Sequence, residues 1–142
     1  MSGRAFLDTN IVVYNFDAGA TADERSVASQ LIQDGLQRGR CVISYQVIQE
    51  FLNVARSKFA VPLSVPDLQV VVRSILKPLL VVLPSPDLFC EALDIHVRYQ
   101  ISWYDSLIVA AAAEAGCSVL YTEDLQHGTR LSGVTIENPF RK

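Results

Sequence analysis

Short apolar runs alternate along this chain with longer amphipathic segments. Five apolar runs predict β-strands at residues 4–7, 41–43, 79–83, 119–121 and 134–136. Apolar residues at helical spacing predict helices over 22–37, 45–59, 66–76, 85–100 and 102–115, with a short helix or turn at 9–14. The run at 79–83 lies between Pro78 and Pro84 and is apolar throughout, which is typical of a strand buried on both faces.

Strands that alternate with helices in this way predict a parallel sheet between two helical layers. We therefore expect a three-layer α/β/α fold with a central parallel sheet of about five strands. The 142 residues suffice for one core, so the sequence predicts a single domain over residues 1–142.

Composition narrows the class of protein further. The longest apolar stretch, residues 107–113, is far shorter than the ~20 residues of a membrane-spanning helix. Asp8 interrupts the N-terminal apolar region before it could form a signal-peptide core, so a cytoplasmic protein is expected. Cys41, Cys90 and Cys117 are far apart in apolar surroundings, which indicates buried, reduced thiols rather than disulfides or a zinc site.

Four carboxylates stand where they could converge at one edge of this sheet: Asp8, Glu50, Asp105 and Asp124. Each has an ordinary structural explanation. Asp8 could cap the helix after the first strand, Glu50 could be a solvated helix residue, Asp105 could complete a capping box with Ser102, and Asp124 could support a turn. Asp8 and Asp124 each follow a strand, however, and ligands of open α/β sheets bind at the carboxyl ends of strands.

Considered together, the four acids favour a metal site. Two carboxylates ~4 Å apart repel by about 4 kcal/mol at an effective dielectric of 20, so a cluster requires cations or protons. Oxygen ligands without sulfur or imidazole suit Mg²⁺ or Mn²⁺, which can support phosphodiester hydrolysis. The net charge of −3 counts against a nucleic-acid substrate, although bound divalent ions would reverse the local sign.

The roles of two segments can be interpreted in more than one way. Trp103 and Tyr104 could stack on an RNA base, but core packing is the favoured explanation for aromatic residues at such a junction. The helix over 66–76 is more apolar than one buried stripe requires, so it is either a dimer face or a well-packed part of the core.

Three segments and one isolated acid carry a family resemblance: residues 6–10 (FLDTN), Glu50, residues 103–112 (WYDSLIVAAA) and residues 120–128 (LYTEDLQHG). Their order along the chain strongly resembles PIN-domain ribonucleases, in particular the VapC-type toxins of toxin–antitoxin pairs. The resemblance implies that Asp8, Glu50, Asp105 and Asp124 bind metal and catalyse, with Asn10 and Thr122 as supporting groups. Asp124 rather than Glu123 is chosen on this pattern, and His127 stands where relatives commonly carry a further Asp.

The resemblance implies a function as well as a fold. We expect Mg²⁺ or Mn²⁺ as cofactor, endonucleolytic cleavage of RNA, a homodimer and an antitoxin partner. The alternatives are a catalytically silent PIN-like binding module and a housekeeping RNA-processing nuclease without an antitoxin. Phosphatase chemistry of the Asp-x-Asp-x-Thr type fits poorly because position 10 is Asn.

Overall fold

The sheet is the centre of the fold. The computed structural model describes residues 3–141. Within them lie the strands β1 (Arg4–Leu7), β2 (Cys41–Ser44), β3 (Leu80–Val82), β4 (Cys117–Tyr121), β5 (Arg130–Leu131) and β6 (Val134–Glu137). Their spatial order is β3-β2-β1-β4-β6-β5, and every pair is parallel except β5 with β6. The five predicted strands are therefore present, and the two-residue β5 is an addition.

Helices cover both faces of this sheet, which confirms the predicted three-layer fold. They are α1 (Thr9–Phe16), α2 (Ala22–Arg38), α3 (Tyr45–Ala55), α4 (Val65–Val71), α5 (Lys77–Leu79), α6 (Pro86–Tyr99) and α7 (Trp103–Glu114). Helix α7 contacts β2, β4 and β6, and α6 packs against α7. No helix within residues 3–141 has the length and apolarity to cross a bilayer.

The structure corrects the prediction for the strand at 79–83. Strand β3 is shorter, Leu80–Val82, and lies at the edge of the sheet, where Val81 is 43% exposed. An edge strand has a neighbour on one side only, and the prolines at 78 and 84 suit such a position because they cannot donate to a ladder. An apolar run alone therefore did not establish burial on both faces.

The helical boundaries also differ from the prediction. Helix α3 ends at Ala55, yet Phe59 still packs into the core, with its ring centroid 6.4 Å from that of Phe51. The predicted helix at 66–76 begins at Val65, continues through a π-helical turn (Val72–Leu76) and passes Pro78 in α5. Pro78 follows directly on the π-helical turn, in which the Lys77 N–H bonds the Val72 carbonyl oxygen, and the helix ends one residue after it at Leu79.

The cysteine prediction is correct for two thiols and wrong for the third. Cys41 and Cys117 are buried, whereas Cys90 is exposed on α6, and all are free. Cys90 stands on the outward side of that helix, beside the exposed Phe89 and Leu93. Apolar neighbours in the sequence therefore did not indicate burial, because α6 carries apolar residues on its outer side as well as its inner one.

Helix α2 approaches β2 at Gly35, and this contact yields a testable expectation. A Cβ atom at Gly35 would lie 2.6 Å from Leu79 Cδ2 and 2.8 Å from the Cys41 carbonyl oxygen. We expect Gly35→Ala to destabilise the fold by about 1–2 kcal/mol, because overpacking outweighs the better helix propensity of alanine. In thermal unfolding, Gly35→Ala should have a lower Tm than the control Gly19→Ala. A Cβ atom at Gly19 would lie 3.3 Å from its nearest neighbour, a carboxylate oxygen of Asp17. An unchanged or higher Tm would contradict this close packing.

Candidate active site

The carboxyl ends of β1 and β4 meet side by side. Leu7 is in register with Tyr121, and the backbone N–H of Asp8 donates to the Tyr121 carbonyl oxygen across 3.1 Å. Because the two strands are parallel, the residues that follow each of them lie at the same edge of the sheet. Asp8 and Asp124 therefore reach one place, as the sequence predicted for neighbouring strands.

Asp8 is buried between two hydrogen-bond donors. Its side chain is 5% exposed, its Oδ1 accepts the backbone N–H of Thr9 at 2.7 Å, and its Oδ2 accepts the Thr122 hydroxyl at 2.7 Å. The Thr122 oxygen in turn accepts the backbone N–H of Asp124 at 3.1 Å. Asp8 thus caps α1, which is the structural role that the sequence also allowed. It is in addition joined through Thr122 to the loop that carries Asp124.

The two residues after Asp8 each hold another acid. The hydroxyl of Thr9 donates to Glu50 Oε1 at 2.6 Å, which ties α1 to α3. The side-chain amide of Asn10 lies 3.4 Å from each Asp124 oxygen and 3.3 Å from Glu123 Oε1. Residues 8–10 therefore link β1 to α3, which carries Glu50, and to the loop after β4, which carries Asp124.

All four predicted acids line one cavity of about 220 Å³. Asp105 enters it from the first turn of α7, where the Ser102 hydroxyl accepts the Asp105 backbone N–H at 3.2 Å. Residues 106–112 of this helix are buried and anchor the turn that carries Asp105. The remaining wall consists of Thr9, Asn10, Gln46, Val54, Tyr104 and Ile108.

Burial and mutual repulsion raise the pKa of two of these carboxyls. Burial raises the pKa of Asp8 to about 7, against the lowering effect of its bonds to Thr122 and Thr9, and the charges of Asp124 and Glu50 add to the rise. The pKa of Asp105 is also raised, first by burial and then by Asp124, although Ser102 opposes the shift. A cation in the cavity would offset the burial and repulsion that raise the pKa of Asp8 and Asp105.

The available ligands fit a hard divalent ion. They are carboxylate, hydroxyl and amide oxygens, which suit Mg²⁺ and Mn²⁺. The histidines are engaged elsewhere: His96 Nδ1 lies 2.6 Å from the Ile101 carbonyl oxygen, and His127 Nδ1 accepts the Asn138 backbone N–H at 3.0 Å. Within residues 3–141, no three acidic, histidine or cysteine side chains are close enough to ligate one ion together. Mg²⁺ usually takes only one or two carboxylates and keeps several waters, so this spacing suits it.

The structure adds residues that the sequence analysis missed. Thr9 orients Glu50, and a hydroxyl residue between two predicted site residues was the available signal. Gln46 lies one helical turn before Glu50 on α3, lines the cavity and donates to the Tyr104 carbonyl oxygen at 3.1 Å. Helical spacing from Glu50 could have identified Gln46 as a neighbour of the site.

The aromatic pair is divided between core and surface. Trp103 is half-buried against the core, with its ring edge-on to His96 at 6.3 Å between centroids. Tyr104 is 65% exposed and lines the cavity beside Asp105. The core-packing interpretation was therefore correct for Trp103 and wrong for Tyr104, because consecutive residues of a helix point about 100° apart.

The fold and the cavity define an α/β domain with an acidic cleft at the carboxyl edge of its central strands. The chain belongs to the PIN domain family, which it matches over residues 5–128. Among curated proteins, no relative matches this sequence.

Solved structures share the fold at low sequence identity. A toxin–antitoxin complex from Klebsiella pneumoniae is 20% identical with a TM-score of 0.68, over 95% of this chain and 97% of that one. The DNA-bound VapBC of Salmonella typhimurium is 20% identical with a TM-score of 0.65, over 96% and 98%. Mycobacterium tuberculosis VapC20, described as a Sarcin-Ricin loop cleaving toxin, is 18% identical with a TM-score of 0.63, over 84% and 89%.

Proposed function

We propose that this protein is a Mg²⁺- or Mn²⁺-dependent endoribonuclease and the cytoplasmic toxin of a toxin–antitoxin pair. The observation that carries the proposal is the convergence of Asp8, Glu50, Asp105 and Asp124 on one cavity in a PIN domain. The raised pKa of the buried Asp8 supports it, because a bound cation would offset the burial and the neighbouring charges that raise this pKa.

Each acid has a distinct task in this proposal. Asp8 and one of Asp105 and Asp124 ligate the ion directly, the third acid acts through a bound water, and Glu50 holds a second ion or orients the attacking water. Thr9, Asn10 and Thr122 keep three of these carboxylates in place by the hydrogen bonds described above. A bound divalent ion would activate water and stabilise the negative charge that develops on the scissile phosphate.

RNA is the proposed substrate because a protein of the same fold is described as a Sarcin-Ricin loop cleaving toxin. The decisive experiment incubates the purified protein with a mixed-sequence single-stranded RNA in Mg²⁺, in Mn²⁺ and in EDTA. We expect internal cleavage with either ion and none in EDTA, and much slower cleavage of DNA of the same sequence. A protein that binds neither ion and cuts no RNA would instead be a silent PIN-like module, which contradicts the proposal.

Tyr104 offers an exposed ring at the rim of the cavity. We expect Tyr104→Ala to raise the KM for RNA by roughly 5- to 50-fold with a smaller change in kcat, since base stacking on an aromatic ring contributes ~1–3 kcal/mol. Tyr104→Phe, which keeps the ring, serves as the matched control and should stay near the wild type. Steady-state kinetics on a short fluorescent RNA would measure both constants. Equal loss in the two variants would exclude stacking.

An antitoxin partner and a homodimer complete the proposal. Two of the solved structures that share the fold are a toxin–antitoxin complex and a VapBC assembly. The predicted dimer helix is partly core and partly surface, because Leu68 and Val71 are buried whereas Val70 is exposed. Further apolar side chains are exposed on this helix and elsewhere and could be covered by partners: Val61, Val65, Leu83, Phe89, Leu93 and Val97.

Expression of the chain alone and together with its genomic neighbour tests this role in cells. We expect arrested growth and fragmented RNA when the chain is expressed alone, and relief of both when the neighbour is co-expressed. Light scattering of the purified protein should give the mass of a dimer. Normal growth with intact RNA would favour a housekeeping nuclease over a toxin.

A further inference from the structure

Glu123 is the acidic neighbour of Asp124, yet its carboxylate is held by two other side chains. Its Oε1 accepts a short hydrogen bond from the Tyr14 hydroxyl and lies 3.3 Å from the Asn10 amide nitrogen. In the part of the chain that the structure describes, the wall of the acidic cavity does not include Glu123. Glu123 therefore contacts the site through Asn10 instead of facing it.

The orientation of the Asn10 amide follows from these contacts. Ionised carboxylates only accept hydrogen bonds, so the amide must direct its two N–H groups, and not its carbonyl oxygen, towards Glu123 and Asp124. The contacts to Asp124 are long, at 3.4 Å to each oxygen. The contact to Glu123 is similar, at 3.3 Å, so the two carboxylates orient the amide together.

Tyr14 is itself placed by the C-terminal turn. Phe140 packs edge-on against Tyr14, with ring centroids 5.0 Å apart and planes at 88°. The Phe140 backbone N–H donates to Asn138 Oδ1 at 3.0 Å, and the Asn138 N–H donates to His127 at 3.0 Å. The turn thus contacts both α1 and the loop after Asp124.

We propose that Glu123 is a positioning residue, which together with Tyr14 orients Asn10 and thereby places Asp124 for the divalent ion. Glu123 does not ligate the ion. This inference rests on the proposed metal-dependent function and assigns to Glu123 a task that its charge alone does not indicate. In this proposal Phe140 packs against Tyr14, and Tyr14 holds Glu123, so both aromatic residues also help to position the site.

Two substitutions at Glu123 separate positioning from ligation. Glu123→Gln keeps an acceptor oxygen that can receive both Tyr14 and Asn10 but has no charge, whereas Glu123→Ala has no acceptor. Calorimetric titration with Mn²⁺, without RNA, should give an affinity within ~3-fold of the wild type for the glutamine variant and at least ~10-fold weaker for the alanine variant. A metal ligand would lose affinity in both variants.

Tyr14→Phe tests the other end of this chain of contacts. It removes only the hydroxyl that donates to Glu123, and we expect the Mn²⁺ affinity to fall by ~3- to 10-fold. Tyr45→Phe removes a hydroxyl from a half-buried tyrosine that does not line the cavity, and it is the matched control with unchanged affinity. Equal affinities in Tyr14→Phe and wild type would overturn the role of Tyr14.

The failures of this inference and of the proposed function are distinguishable. If the wild type binds no Mn²⁺, both are wrong. If the wild type binds Mn²⁺ but the two Glu123 variants lose affinity equally or not at all, only the positioning role is wrong. Thermal unfolding in EDTA checks that each variant folds, and cleavage by Glu123→Ala should recover at high Mn²⁺ with an unchanged KM for RNA. A raised KM that Mn²⁺ does not restore would also overturn the inference.

Discussion

An Asp8→Asn variant should cleave RNA at least about 10²-fold more slowly than the wild type at saturating Mg²⁺, since a catalytic ion supplies several kcal/mol of transition-state stabilisation. Asp8 is the most buried of the four acids and lies at the end of the central strand β1. Asparagine has nearly the same shape but no negative charge and one fewer oxygen. The ion would consequently lose its best-placed anionic ligand.

The local structure should survive this substitution. The asparagine oxygen can accept the Thr9 N–H that now bonds Asp8 Oδ1, and its amide can donate to the Thr122 oxygen. Single-turnover cleavage of a labelled RNA measures the effect, and Asp94→Asn on the exposed side of α6 is the matched control. Activity of Asp8→Asn close to that of the control would contradict a catalytic role for this carboxylate.

The same substitution should stabilise the metal-free protein at neutral pH. The pKa of Asp8 is about 7 in the folded state, against the ordinary value of 3.8 in the unfolded chain. The folded state therefore holds a proton that the unfolded state has lost, so this stabilising contribution is complete below pH 4 and disappears as the pH rises through 7. Asparagine cannot ionise and avoids this loss, which is on the order of 4 kcal/mol at pH 7–8.

Urea unfolding in EDTA between pH 4 and pH 8 measures the difference. We expect the two proteins to be similar near pH 4 and Asp8→Asn to be progressively more stable towards pH 8. Mg²⁺ should stabilise the wild type, because it replaces the proton, and should have little effect on the variant. A stability difference that does not change with pH would show that Asp8 is not under electrostatic strain.

Most of the fold could be predicted from the sequence because its signals are local. Short apolar runs separated by helical periodicity identified all five parallel strands. Helix α7 is apolar on nearly every side, which placed it at the centre and Asp105 at the cleft. The meeting of Asp8 and Asp124 followed from the rule that parallel strands present their carboxyl ends at one edge.

The remaining features depend on contacts between distant residues. The two residues of β5 are too few for a periodic pattern, and the antiparallel partner that defines them lies beyond a turn. The task of Glu123 could not be separated from that of Asp124, because both follow β4 and only the contacts with Tyr14 and Asn10 distinguish them. Likewise, the contact between Gln46 and the Tyr104 carbonyl oxygen joins residues that are far apart in the sequence.

The most direct test of the metal site is an anomalous difference map from crystals soaked in Mn²⁺. We expect a peak in the cavity at about 2.0–2.2 Å from a carboxylate oxygen of Asp8 and from one of Asp105 or Asp124, with waters completing the coordination. The Glu123 carboxylate should remain on Tyr14 and Asn10. A cavity without an anomalous peak at millimolar Mn²⁺, or a peak bound elsewhere on the protein, would contradict the metal-dependent function.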